Sequence, residues 1–289
     1  MIPGTFDYHR PKSIADAVAM LAALGEEARP LAGGHSLIPM MKLRLAAPEH
    51  LIDLGGIAAL NGVRREGETF VIGATTTQSA LINSAEVAAS VPILREAALS
   101  IADPQIRYVG TIGGNVVSGD PGNDMPAVMQ CLNASYVLTG PGGERQVAAR
   151  QFYQGVYSTA LGVGELLTSI RVPAPGPGHG WGYEKLKRKV GDYATAAAAV
   201  IVMFAGGRIT HAAIGLTNVG DTPLFADAAG AILMGSSLDA ATVDRAVAAA
   251  EAITAPASDG RGPAEYRTKM AGMMLRRALA RAAGRAAKG

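Results

Sequence analysis

Thr111-Ile112-Gly113-Gly114-Asn115, continued by Ser118-Gly119-Asp120-Pro121-Gly122-Asn123-Asp124-Met125-Pro126, is the stretch on which the chain is organised. Tyr108 and Val109 lead into two adjacent glycines, and a polar, turn-rich run follows. Two missing Cβ atoms let backbone N–H groups approach a ligand oxygen and make positive φ accessible. Successive N–H groups in such a turn form a concave nest for an anion such as a diphosphate. Thr111 and Asn115 stand at its edges as side-chain donors. Ala32-Gly33-Gly34-His35-Ser36 repeats the design after the apolar Leu31. Each pair is read as a loop after a strand, together gripping one diphosphate from two sides. Neither is a standard nucleotide motif. The chain has no G-x-G-x-x-G opening a helix and no G-x-x-x-x-G-K-[ST], which argues against a Rossmann domain or a P-loop.

Composition narrows the class. The 289 residues are 49% apolar and 17% charged, with a formal net charge of +2. That describes a globular chain with a sizeable core and roughly two domains. The charge is too small to argue for nucleic acid as a partner. The uncharged run Tyr193 to Gly207 falls short of the ~20 residues of a membrane helix. The N-terminus lacks the basic and apolar regions of a signal peptide, so a cytoplasmic chain is expected. Cys131 is the one cysteine. It permits neither an intrachain disulfide nor an iron–sulfur site, so any redox group must be an organic cofactor.

Along the chain, Pro11 to Leu24 reads as a first helix that Ser13 can cap, with Ile14, Val18 and Leu21 at helical spacing and Gly25 as its stop. Ala28 to Leu31 is a short strand leading to the first glycine pair. Ser36 is expected to cap a short helix, Leu37 to Leu43. His35 is either a surface turn residue or a phosphate contact. Leu51 to Leu54 is a strand, and Gly55-Gly56 is read as the boundary to a second part. Phe70 to Ala74 is a strand, and Thr75 to Thr77 open a helix. A helix over Ile93 to Leu99 is expected to be broken near Asp103-Pro104. Asp120 and Asp124 lack the nearby His or Cys that would complete a metal set. Cys131 falls on the apolar side of a helix from Met125 to Leu132. Ser135–Leu138, Glu144–Val147 and Leu166–Val172 are further strands, and Pro173 to Gly180 reads as a linker. In Trp181 to Val190, the spacing of two puts Tyr183, Lys185 and Lys187 on one strand face. Ala194–Phe204 and Ile209–Leu216 pair around Gly206-Gly207. Helices follow from Leu238. The last, from about Pro263, is basic and turns Met270, Met273, Met274 and Ala278 to one side. Its arginine-rich face is either solvated or a contact for an acidic partner or membrane surface.

The two glycine segments resemble the FAD-binding signatures of the flavoprotein subunits of molybdenum hydroxylases. The resemblance continues in Ile101-Ala102-Asp103-Pro104-Gln105-Ile106-Arg107, in Tyr183-Glu184-Lys185-Leu186-Lys187-Arg188-Lys189 and in Gly191-Asp192-Tyr193-Ala194-Thr195-Ala196, over essentially the whole chain. Gly119-Asp120-Pro121-Gly122-Asn123-Asp124 is most similar to the carbon monoxide dehydrogenase branch. The resemblance implies an α+β fold in three parts. Residues 1–54 and 55–176 would be two small mixed α/β subdomains clamping FAD, in a vanillyl-alcohol-oxidase-like FAD-binding fold. Residues 177–289 would be an antiparallel sheet with a helical bundle. It implies FAD contacts from Ala32, Gly33, Gly34, His35, Ser36, Thr111, Ile112, Gly113, Gly114 and Asn115; of the lysines on the strand face, Lys185 and Lys187, one or two either face the flavin or its phosphates or are simply solvated charge. Asp124 either accepts from the ribose hydroxyls or is simply the N-cap of its helix, and Tyr193 lies on the flavin ring. No catalytic acid, base or nucleophile is assigned to this chain. A large subunit would hold a molybdenum–pterin cofactor and oxidise CO with water to CO2. A small subunit would relay electrons through 2Fe-2S clusters to the FAD, which passes them to a quinone or other acceptor. A dimer of heterotrimers, at the inner face of the membrane or free in the cytoplasm, is the implied assembly. Two other readings stay open at this point: a related hydroxylase subunit whose partner oxidises an aldehyde or heterocycle, and a nucleotide-binding module without redox activity.

Overall fold

The computed structural model of the chain describes residues 2–286. The N-terminal part is built on a three-stranded parallel sheet in the order Asp7–His9, His50–Asp53, Ala28–Leu31. Parallel neighbours need crossover connections. The helix Ile14–Leu24 supplies one, capped by Ser13, whose hydroxyl accepts from Asp16 N–H. Ala17, Val18 and Leu21 on its buried face pack with Ile52, Leu54 and Leu60 in a small core.

A five-stranded antiparallel sheet follows, ordered Val63–Glu66, Thr69–Gly73, Leu166–Pro173, Ser135–Gly140, Gly143–Ala148. The long excursion between its second and fourth strands carries a run of short helices. They start on local caps: Thr77 for Gln78–Asn83, Ser84 for Ala85–Ser90, and Asp103 for Pro104–Val109. Pro104 begins a helix here instead of breaking one. It sits in the first turn, where its missing N–H has no intrahelical role anyway.

The C-terminal part is a four-stranded antiparallel sheet, Gly180–Leu186, Ala196–Ala205, Arg208–Thr217 and Leu224–Phe225. Gly206 and Gly207 both take positive φ, 57° and 74°, and close the central hairpin as expected. One face of this sheet is covered by the helices Asp227–Leu233 and Ala264–Ala286, and the helix Ala240–Ala252 packs against both of them. The other joins the middle core, where Ala197, Ala199 and Ile201 meet Met129, Cys131 and Leu94. Met274 and Ala278 are buried on the last helix as the spacing predicts. Met273 is not: it is 42% exposed, because the helical turn carries it to the side away from the buried Ala271, Met274, Leu275 and Ala278. Among the described residues no helix is long and apolar enough to cross a membrane.

Candidate flavin site between the two glycine segments

The first glycine segment leaves the carboxyl end of the parallel strand Ala28–Leu31, the edge where open α/β sheets bind ligands. Gly34 holds φ 71°, and the short helix Leu37–Lys42 begins just beyond. Among the described residues, no amide from Gly33 to Leu37 donates a hydrogen bond inside the chain. Five consecutive unspent donors suit an anion, and at the half-buried Gly33, Gly34 and Leu37 an unpaired N–H is itself unusual. Ser36 does not cap the helix with its side chain, contrary to the sequence expectation, which leaves its hydroxyl free as well.

The second segment departs from its expected form. It follows a helix, Pro104–Val109, not a strand, and its glycines lie inside a helical turn, Ile112–Val117. That turn consumes its own donors. Ile112 N–H donates to Thr76 O at 2.9 Å, Gly113 N–H to Ala74 O at 2.9 Å, and Asn115 N–H to Thr111 O at 3.1 Å. Gly114 N–H donates to Thr111 Oγ1 at 3.1 Å. Here the glycines serve close approach: a Cβ on Gly113 would lie 2.4 Å from Ala74 O. Thr77 bridges Thr111 from the neighbouring segment, and Gln78 N–H donates to Gly110 O at 2.9 Å. The turn is therefore a rigid wall, not a second nest.

The two segments meet directly. A Cβ on Gly33 would lie 2.4 Å from Val109 O and 2.8 Å from Gly110 Cα, and the His35 ring stands beside Gly110. Only glycine at 33 permits this approach.

Downstream, the polar run folds back on the same wall. Asn115 Oδ1 accepts from Met125 N–H at 3.2 Å, and Asn123 Nδ2 donates to Asn115 O at 2.8 Å. Asn115 thus performs the capping that the sequence offered to Asp124. Freed from the cap, the buried Asp124 carboxylate receives the Tyr183 hydroxyl on one oxygen and Lys185 Nζ on the other at 2.8 Å. Burial pushes the Asp124 carboxyl up, and the Lys185 ammonium and Tyr183 hydroxyl oppose that shift. Tyr183 is driven well above the usual phenol range by burial and by the neighbouring carboxylate.

Lys185 is 4% exposed at its side chain. It and Lys187 both reach Ser100 O, at 3.3 and 3.4 Å, so the alternation across Tyr183, Lys185 and Lys187 holds. Burial, then Lys185, holds the Lys187 amine below its usual range. Arg107 braces the same turn through Ile101 O at 2.7 Å, next to Ala102 at φ 42°. Tyr193 is 41% exposed, with its ring against Gly122, where a Cβ would lie 2.9 Å from Cδ1. Burial, then Asp120, pushes its hydroxyl up to about 12. Cys131, buried and hydrogen-bonded to Ala199 O, has its thiol pushed by burial up to about 12.

The arrangement offers unspent amides for a diphosphate, a rigid wall opposite, a buried ion pair beyond it and an exposed aromatic face. FAD is chemically matched to that donor set. The sequence reading missed Tyr183 and Arg107. Tyr183 shares the period of Lys185, which was a usable signal, whereas the Arg107 contacts are set by the turn and leave no local pattern.

Sequence and structure comparisons agree. Residues 4–175 match the FAD binding domain in molybdopterin dehydrogenase, and residues 181–282 match the CO dehydrogenase flavoprotein C-terminal domain. The chain belongs to the carbon monoxide dehydrogenase flavoprotein family. It is 69% identical, over 99% of both chains, to the carbon monoxide dehydrogenase medium chain of Afipia carboxidovorans. The medium chain of Hydrogenophaga pseudoflava is 52% identical over 96% of this chain and 97% of its own. In fold, the chain superimposes on the cyanide-inactivated form of a Cu,Mo-CO dehydrogenase with a TM-score of 0.98, at 69% identity, covering 99% of this chain and all of the other. As a family member it carries an FAD-binding domain, and the fold class read from the sequence stands.

Proposed function

We propose that this chain is the FAD-bearing medium subunit of an aerobic carbon monoxide dehydrogenase, an oxidoreductase complex. The 69% identity to a medium chain across both full lengths carries the reading. In it, the free amides of Gly33 to Leu37, with Ala32 and His35 shaping the loop, hold the diphosphate. The Thr111 hydroxyl and the Asn115 amide add donors from the wall that Ile112, Gly113 and Gly114 build. Asp124 accepts from the ribose while Lys185 and Tyr183 fix its carboxylate, and Tyr193 shields one face of the ring from water. Bound there, FAD supplies the ability to exchange electrons singly or in pairs. The chain's own residues bind, orient and electrostatically tune it, and they perform no acid–base step.

The partners are a large molybdenum-containing subunit that oxidises CO with water to CO2, releasing two electrons and two protons, and a small 2Fe-2S subunit. Two such heterotrimers pair, and a quinone or comparable acceptor takes the electrons in the cytoplasm or at the inner membrane face. The Arg-rich last helix is mostly tied internally, through Arg276–Asp244, Arg281–Glu184 and Arg285–Glu96. That favours a packed helix over a membrane anchor.

The test is a visible spectrum of the chain purified with its native partners, before and after CO is added without oxygen. Bleaching of flavin and iron–sulfur absorbance together is the expected result. Flavin that ignores CO but bleaches with an aldehyde or heterocycle would transfer the chain to a related hydroxylase. Absence of flavin would sink the cofactor assignment itself.

A further inference from the structure

Besides the flavin contact proposed above, Tyr193 forms part of the wall of a cavity of about 320 Å³ that nothing so far has used. The cavity lies where the polar run after the second glycine segment meets the C-terminal part of the chain. Its volume sits at the lower end of the ~300–1,000 Å³ typical of small-molecule sites. That is room for a ring system but not for a dinucleotide.

Its lip is apolar and exposed: Val156 at 49% and Tyr157 at 58%. Tyr157 is held at φ 56°, a region that a non-glycine residue seldom adopts and that clusters at ligand sites. The surroundings enforce it. Its N–H donates to Gly119 O at 2.8 Å, and its hydroxyl to Asp120 Oδ2 at 3.1 Å.

The inner side is polar. Arg267 is spent on the carbonyls of Thr195, Ala257 and Asn218. Arg261 uses one guanidinium nitrogen on Asp259 at 2.7 Å. Among the described residues its other side-chain nitrogens have no partner, so they remain as donors for a carbonyl oxygen.

Charge sets the class of ligand. Asp120, Asp221 and Asp259 stand against Arg261 and Arg267 in the lining, three carboxylates to two guanidiniums. A site of net negative charge disfavours a phosphate-bearing nicotinamide cofactor and accepts a neutral molecule.

We infer that this cavity is the electron exit, taking the head group of a neutral quinone between Val156 and Tyr157, with a carbonyl on Arg261 and Tyr193 as the aromatic partition towards the flavin. The inference rests on the flavin placement proposed above. The exchange balances: oxidation of CO with water yields two electrons and two protons, and the two quinone carbonyls take up both pairs to become hydroxyls.

The experiment uses the assembled complex, reduced with dithionite so that the readout does not depend on CO. Reoxidation of its flavin by menadione is followed by stopped flow, and menadione binding to the oxidised complex by calorimetry. Val156→Trp fills the lip, and Val163→Trp, exposed on a different surface, is the control. With V156W the half-saturating menadione concentration and the dissociation constant both rise at least tenfold, and with V163W neither moves. A V156W complex that has full flavin and unchanged values overturns the proposal. Should V156W fail to assemble, Arg261→Leu is read by the same two measurements, with the same threshold. A complex that ignores CO yet shows the V156W effect would sink the CO assignment and support the exit site. One bleached by CO but insensitive at position 156 would do the reverse, and one without flavin overturns both.

Discussion

Gly33 illustrates how much one missing methyl group controls. Its φ is not in the left-handed region, so alanine fits the backbone, and the whole penalty is the 2.4 Å approach to Val109 O. Relief requires the two glycine segments to part. Gly33→Ala is therefore expected to lower FAD affinity at least tenfold, about 1.4 kcal/mol, read as flavin content of the purified complex and by titration with FAD. Gly142, with open space around it, is the matched control, and its alanine variant should be silent. A second residue reports through protons. His179 has Nδ1 on Gly176 O at 2.9 Å, Nε2 buried without a partner, and its ring against Trp181. Burial holds its imidazole below the usual value, opposed by that carbonyl. The unfolded chain then binds the proton first. Stability is full above pH ~6.5 and is lost as pH falls through the lowered folded value. His179→Phe should flatten the fall of melting temperature between pH 7 and 5, and parallel curves for variant and parent would refute this.

At the scale of elements, the strand Gly180–Leu186 lies unusually close to the helix Ala264–Ala286. A Cβ on Gly182 would meet Ala278 O at 2.4 Å, and one on Gly180 would meet Ala282 O at 2.0 Å. Strand period two and helix period four coincide there, glycine facing alanine. Gly182→Ala should destabilise the chain by ~1–3 kcal/mol, as overpacking does. Gly284→Ala, on the same helix but with nothing nearby, should instead stabilise it by up to ~1 kcal/mol through helix propensity. Denaturant midpoints of the two variants, moving in opposite directions, would check both. Elements with strong local signals were legible in the sequence: the Ser13-capped helix, the Gly206-Gly207 hairpin and the strand alternation through Lys185. Pro104 was misread, though Asp103 before it carried the cap signal. The Asp124–Lys185 pair was invisible as a pair, because 61 residues separate its members and only tertiary packing joins them. The same holds for the second glycine segment, whose turn becomes a wall because Ala74 and Thr76 arrive from another strand end to take its amides.

For the whole molecule, the division of the core decides how the chain opens. The middle sheet and its helices share one cluster with Tyr183, Ala197, Ala199 and Ile201 of the C-terminal sheet. The N-terminal part rests on a separate, much smaller cluster around Ala17, Ile52 and Leu60. Arg150 strengthens the first union, with its guanidinium 3.6 Å from the Phe225 ring centroid and Nε on Gln130 O. Regions with few buried apolar contacts open below the global free energy, in cooperative units. The parallel sheet Asp7–His9, His50–Asp53, Ala28–Leu31 should therefore exchange its amides at a lower opening free energy than the other two sheets, which should exchange together. A ligand held between the glycine segments stabilises what it spans by RT ln(1 + [L]/Kd), about 2.7 kcal/mol at a hundredfold excess over Kd. In the placement proposed above FAD would bridge the weak unit to the strong one, so it should slow exchange most in residues 28–37 and 50–53 and least in the strand Ala196–Ala205. Hydrogen exchange of the complex with and without flavin measures both. Equal protection gained everywhere would mean that the N-terminal part does not open on its own, and that the contact of Gly33 with Val109 already welds the chain into one unit.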